Sequence, residues 1–176
     1  ITIKKYIKEE NRLIDVGTGA GFPGIPLKIV DKSIKLTLLD SLNKRINFLN
    51  EIIEKLNLKE VNTIHSRAEE YAKNKVRESY DVAVSRAVAD LPILLEYLMP
   101  YVKLNGICIC MKGPKAQKEL ERSKKAINIL GGKLEKVEKI TIDEEMERNL
   151  IIIRKIKDTP NKYPRKAGIP TKNPIV

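Results

Sequence analysis

Between Leu13 and Gly24 the chain reads L-I-D-V-G-T-G-A-G-F-P-G, an acid followed by glycines at alternate positions, Gly17, Gly19 and Gly21. Glycine accepts the tight backbone angles of such a turn, and its missing Cβ leaves room for a flat ligand against the main chain. The next apolar run, I-K-L-T-L-L-D, ends in Asp40. A carboxylate there can accept both hydroxyls of a ribose. Together these residues have the chemistry for holding a nucleoside. Later apolar runs lead into S-R-A-E-E, into Arg86 of S-R-A-V-A-D-L and into Lys112 of M-K-G, which stand at further strand ends. Arg86 carries planar donors that suit a phosphate or guanine O6; its structural alternative is an ion pair with Asp40 or Glu69.

Two ligands suit the glycines. Gly19, Gly21 and Gly24 satisfy G-x-G-x-x-G, the dinucleotide pattern, with an acid (Asp40) near the expected distance, which would make the protein an NAD-dependent oxidoreductase. The alternating D-V-G-T-G-A-G, placed directly after an acid-bearing strand, looks instead like the S-adenosylmethionine loop of class I methyltransferases. That cofactor has no pyrophosphate and needs a glycine shelf more than an anion-binding helix start. The second reading is preferred.

The elements that must position these residues alternate regularly. Strands are expected at Arg12–Val16, Ile34–Asp40, Val61–His65, Asp81–Ser85 and Ile107–Met111, with helices between them. Pro23 opens the first helix, where its absent N–H is no loss. The second helix, over Asn43–Asn57, carries an apolar stripe through Ile46, Leu49, Ile52, Ile53 and Leu56. An apolar helix spans Leu91–Val102, and a basic one runs from Lys115 to Leu130, stopped by Gly131-Gly132. Lys133–Ile140 and Asn149–Ile156 read as a closing antiparallel pair around an acidic loop, Asp143–Glu147. The fold class is therefore α/β and Rossmann-like: a mostly parallel seven-stranded sheet ending in an antiparallel strand pair. Residues 1–11 read as the remnant of a helical segment, and residues 12–156 as the catalytic domain. Residues 157–176 form a basic, proline-rich tail, with Tyr163, Arg165 and Lys166 placed to lie along a polyanion.

Charge narrows the partner. Among 176 residues, 34 Lys and Arg outnumber 23 Asp and Glu, for a net charge of +11. That excess favours encounter with phosphate backbones, although a generally Lys-rich composition gives the same bias. Lys44 and Arg45 stand at a helix N-terminus, where cations oppose the helix dipole, and this suggests contact with RNA phosphates. The only cysteines, Cys108 and Cys110, give no disulfide framework. With no signal peptide or long apolar run readable, a soluble cytoplasmic protein is expected, without membrane attachment. The chain opens on Ile1 rather than Met, as a fragment missing its natural start would. The lone His65, with no readable partner, is read as structural.

The motifs D-V-G-T-G-A-G-F-P-G-I-P-L-K-I-V, L-L-D-S-L-N-K-R, S-R-A-E-E, S-R-A-V-A-D-L, M-K-G and T-P-N-K-Y-P-R-K-A-G-I-P resemble the bacterial 16S rRNA guanine-N7 methyltransferases, the family called RsmG or glucose-inhibited division protein B. The resemblance covers nearly the whole chain and is most specific in the F-P-G loop and the tail. It implies S-adenosylmethionine as cofactor and 16S rRNA of the small ribosomal subunit as partner. No metal is called for, and a monomer is expected. Matched position by position, cofactor contacts fall on Gly17, Phe22, Ala68, Glu69 and Arg86; Gly19, Gly21 and Asp40 follow from the general class I pattern. Lys44, Arg45, Lys112, Arg165 and Lys166 are the candidate RNA contacts. Family members carry a helical segment before the first strand, of which only the last turns, near Ile3–Glu10, are expected here.

N7 chemistry agrees with what the residues supply. Exocyclic amine methylation goes with an N/D-P-P-Y/F signature after the fourth strand, where Ser85-Arg86-Ala87 stands here. Pyrimidine C5 methylation needs a nucleophilic Cys, and both cysteines lie inside an apolar strand. Guanine N7 has an in-plane lone pair and no proton, so Arg86 is expected to position rather than to act as a base. A non-catalytic RNA-binding or ribosome-assembly protein on the same scaffold is the remaining alternative.

Overall fold

The computed structural model describes residues 2–73, 75–86, 88–141 and 147–176. Ala87 and residues 143–146 of the acidic loop lie outside the described residues. The apolar runs form one sheet from β1 (Arg12–Val16), β2 (Lys35–Asp40), β3 (Val61–His65), β4 (Tyr80–Arg86), β5 (Val102–Lys112), β6 (Gly132–Thr141) and β7 (Glu147–Lys155), in the order β3-β2-β1-β4-β5-β7-β6. β1 to β5 pair in parallel. β7 runs the other way, antiparallel to β5 on one side and to β6 on the other. The strand order turns back between β1 and β4, the switch point at which open α/β sheets hold ligands.

Successive side chains of a strand point to opposite faces, and each central strand feeds two cores. Leu13, Leu36, Leu38, Val82, Val84, Ile107, Ile109, Leu150 and Ile152 face one core. Ile25 and Leu27 of α1 (Gly24–Val30) and Ile46 and Leu49 of α2 (Asn43–Lys55) cover it. Ile14, Val16, Leu39, Ala83, Cys108, Cys110, Ile151 and Ile153 face the other. There they meet α3 (Ala68–Tyr71), α4 (Leu91–Leu98), α5 (Ala116–Arg122) and α6 (Lys124–Ile129).

Several boundaries differ from the sequence reading. The helix expected over Leu91–Val102 stops at Leu98 and passes through a 3₁₀ turn, Met99–Tyr101; Pro100 has no N–H to continue the α ladder. β5 accordingly begins at Val102, five residues earlier than expected. The basic helix is broken at Ser123, whose hydroxyl donates to the Glu119 carbonyl one turn back at 2.7 Å. Such back-bonding bends helices. Pro23 precedes the first helix rather than opening it. The segment before β1 holds a 3₁₀ turn, Lys4–Tyr6, where helix was expected; Ile3 and Ile7 are buried in the first core.

The tail is docked. Arg77 donates to the carbonyls of Thr159 and Tyr163 at 2.6 and 2.7 Å, and Glu78 accepts the Thr159 N–H at 2.7 Å. Tyr163 and Ile175 are buried in the second core. The proline-rich tail admits one helical turn, α7 (Ile169–Lys172), with Pro170 in its first turn.

Candidate functional site

The carboxyl ends of β1, β2, β4 and β5 open into a cleft of about 1220 Å³. Gly17, Gly19, Phe22, Asp40, Ala68, Glu69, Arg86 and Lys112 all line it, so the expected site residues from five separate motifs converge. Gly21 stands behind the shelf: a Cβ there would meet Ile25 at 2.5 Å. Gly17 and Gly19 both have positive φ, +68° and +62°. At Gly19 a Cβ would meet nothing within 4 Å, so the shelf is open toward the cleft.

Asp40 fixes this shelf from β2. Its Oδ2 accepts the Gly19 N–H at 2.9 Å and its Oδ1 accepts the Leu42 N–H at 3.0 Å. The two carboxyl oxygens provide about four acceptor positions; Gly19 and Leu42 take one on each, and a ribose diol would take the place of the longer Arg45 contacts at 3.2 and 3.4 Å. Arg45, expected to face RNA, turns instead to Asp40, with its guanidinium 3.2 Å from Oδ2. Lys44 is exposed at the start of α2. Glu69 is nearly buried in the first turn of α3, where its Oε1 accepts the Gly168 N–H of the tail at 3.4 Å. The tail therefore reaches the cleft wall.

Arg86 is exposed, and its guanidinium lies 5.1 Å above the Phe22 ring centroid. Among the described residues it forms no ion pair with Asp40 or Glu69, so the structural alternative raised for it does not hold. Lys112 and Arg165 differ from expectation as RNA contacts. The Lys112 ammonium is buried, held by the Ala89 carbonyl and Glu119 Oε2, each at 2.6 Å. Arg165 grips the fully buried Glu96 through two parallel bonds, Nε to Oε1 at 2.9 Å and Nη2 to Oε2 at 2.6 Å. Burying an unpaired carboxylate is expensive, and a bidentate guanidinium offsets it. Lys166 is exposed. His65 lies at the surface, its Nε2 3.1 Å from the Ser41 carbonyl.

Sequence reasoning missed the β7 part of the cleft's far wall: Arg148, Asn149 and Leu150. Arg148 and Asn149 open β7, and the antiparallel register sets Asn149 opposite Lys112. Only strand pairing brings them to the cleft, and no local motif announces it.

The chain is similar to proteins of known class. The family model for rRNA small subunit methyltransferase G matches residues 1–151. A ribosomal RNA small subunit methyltransferase G of Clostridium botulinum is 56% identical over 170 residues, covering 96% of this chain and 71% of that protein. One from Acetivibrio thermocellus is 54% identical over 178 residues, covering 99% and 73%. By shape the chain is similar to a SAM-dependent methyltransferase of Aquifex aeolicus, with a TM-score of 0.67 at 20% identity, covering 88% of each chain. It is also similar to the TYW2 protein of M. jannaschii, solved with AdoMet, with a TM-score of 0.68 at 19% identity over 87% of this chain and 72% of that one. The dinucleotide alternative is not favoured. Glycine shelf, switch-point cleft and strand order agree with these matches, and the chain belongs to the rRNA small subunit methyltransferase G family.

Proposed function

We propose that this protein methylates N7 of a guanine in the 16S rRNA of the small ribosomal subunit, with S-adenosylmethionine as methyl donor. The observation that carries the reading is the Asp40 carboxylate locked against an open Gly19 shelf at the switch point. The residues suit this cofactor: Asp40 for the ribose hydroxyls, Ala68 and Glu69 beside the base, Gly17 and Gly19 beneath the amino-acid end. When bound, S-adenosylmethionine supplies an electrophilic methyl on a sulfonium, which departs as a thioether. The N7 lone pair needs no deprotonation, so the protein's contribution is placement and exclusion of water. Arg86, stacked on Phe22 and free of carboxylate partners among the described residues, holds a guanine O6 or a flanking phosphate. Exposed Lys44 and Lys166 supply charge for the RNA backbone, and the protein acts in the cytoplasm as a monomer.

The test is transfer of radiolabelled methyl to small subunits from a strain lacking this modification, followed by borohydride and aniline, which cut RNA at N7-methylguanine. Stoichiometric label and one new scission in 16S rRNA are expected. No label, or label without scission, would contradict the reading.

A further inference from the structure

The cleft is larger than one cofactor requires, since pockets of about 300–1,000 Å³ hold a whole drug-sized ligand. The glycine shelf, Asp40 and Glu69 occupy one end. The other end is walled by the last residues of β5 and the first of β7, which the proposed cofactor does not use. Asn149 stands in that wall, mostly buried, with its amide orientation fixed. Its Nδ2 donates to the Gly113 carbonyl at 3.1 Å and to Glu147 Oε1 at 3.4 Å. Both partners are acceptors, so the amide cannot flip without facing oxygen to oxygen, and both its hydrogens are committed. Its Oδ1 accepts nothing among the described residues and is not among the enclosed, unpartnered atoms. It is a lone acceptor, pre-oriented and reachable from the cleft.

We infer that this end of the cleft is the subsite for the target base, and that Asn149 selects guanine there by accepting from its N1–H or N2–H₂. Where guanine presents N1–H and N2–H₂ to this acceptor, adenine presents the N1 acceptor and a C2–H, its N6–H₂ donor lying at the position of guanine O6 instead. A site whose buried polar group goes unpaired with the wrong ligand rejects that ligand strongly. Gly113, where a Cβ would meet nothing within 4 Å, keeps the entrance open beside it. Exposed Arg148, with Nη1 on the Glu147 carbonyl at 3.0 Å, adds a flat cation at the rim. Nothing here requires a titrating group.

The inference rests on the proposed methyl transfer, so wild-type and variant protein are assayed together. Asn149→Ala is measured for S-adenosylmethionine affinity by calorimetry, and for transfer to reconstituted subunits bearing guanine or adenine at the modified position. Cofactor affinity within about 2-fold of wild type is expected, with kcat/KM for guanine down roughly 10- to 100-fold and the guanine-to-adenine ratio falling with it. Variant transfer equal to wild type, or cofactor affinity falling as far as transfer does, would overturn the subsite. A wild-type protein that transfers no methyl would sink the functional reading itself, and the subsite with it.

Discussion

Asp15, next to last in β1, is fully buried beneath the glycine shelf. Its Oδ2 accepts the Thr18 hydroxyl at 2.8 Å and the Gly24 N–H at 2.9 Å, while its Oδ1 has no partner. Burial pushes this carboxyl up to about 6, against the opposing pull of those two hydrogen bonds. A carboxyl raised in the folded state binds a proton there that the unfolded chain has released. Its ionisation therefore destabilises the fold as pH rises from about 4 through 6, by about 3 kcal/mol once fully charged. Asp15→Asn keeps an acceptor for Thr18 and Gly24 and removes the ionisation. Urea unfolding should then show the variant gaining stability relative to wild type as pH is raised from 4 to 7; a difference that stays flat with pH would refute the assignment. At the same scale, the glycines and Asp40 were legible in the sequence because backbone angle and strand-end position are local properties. Arg45, Lys112 and Arg165 were not. Their charges are satisfied by Asp40, Glu119 and Glu96, and the Arg165 partner lies 69 residues away in sequence.

The tail is the element whose role changes most between sequence and structure. Proline spacing and basic charge suggested an extended arm on RNA, but its anchors are internal. Lys155 is fully buried, donating to the Met99 carbonyl at 2.8 Å and pairing with Glu78 at 2.8 Å; burial lowers its pKa, and Glu78 opposes that. Gly131, at φ +81°, ends the split basic helix and receives the Ile156 and Lys157 N–H groups, so a Cβ there would stand 2.1 Å from the Lys157 carbonyl. The glycine stop was readable; the chain that returns to it was not. Arg77→Ala should loosen the tail, and with it the seats of Tyr163 and Ile175 in the second core, at about 2–3 kcal/mol for its charged hydrogen bonds. Trypsin should then cut at Lys162, Arg165 or Lys166 well before the wild type is cut. Equal resistance in the two proteins would mean that the clasp on Glu96 holds the tail without Arg77.

For the whole molecule, one sheet with two cores sets a cleft at its carboxyl edge and leaves positive charge around it. The exposed Lys115, Lys118, Lys124 and Lys125 follow directly from the β5 end of that cleft. If they meet phosphates, 16S rRNA affinity falls steeply with salt. Lys118→Glu with Lys125→Glu should then lower the log–log salt slope by about 1 for each phosphate no longer neutralised. An unchanged slope would place the RNA on another face. The parallel alternation and the closing strand pair were legible from hydrophobic period and glycine turns. The far wall of the cleft was not, because β7 reaches it only by running against β5. The most direct measurement of the central claim is a calorimetric titration of S-adenosylmethionine and of NAD into wild-type protein and Asp40→Ala. A saturable S-adenosylmethionine isotherm, weakened at least about 10-fold in the variant, with no heat from NAD, is the predicted result. Tight NAD binding, or S-adenosylmethionine affinity untouched by loss of Asp40, would contradict it.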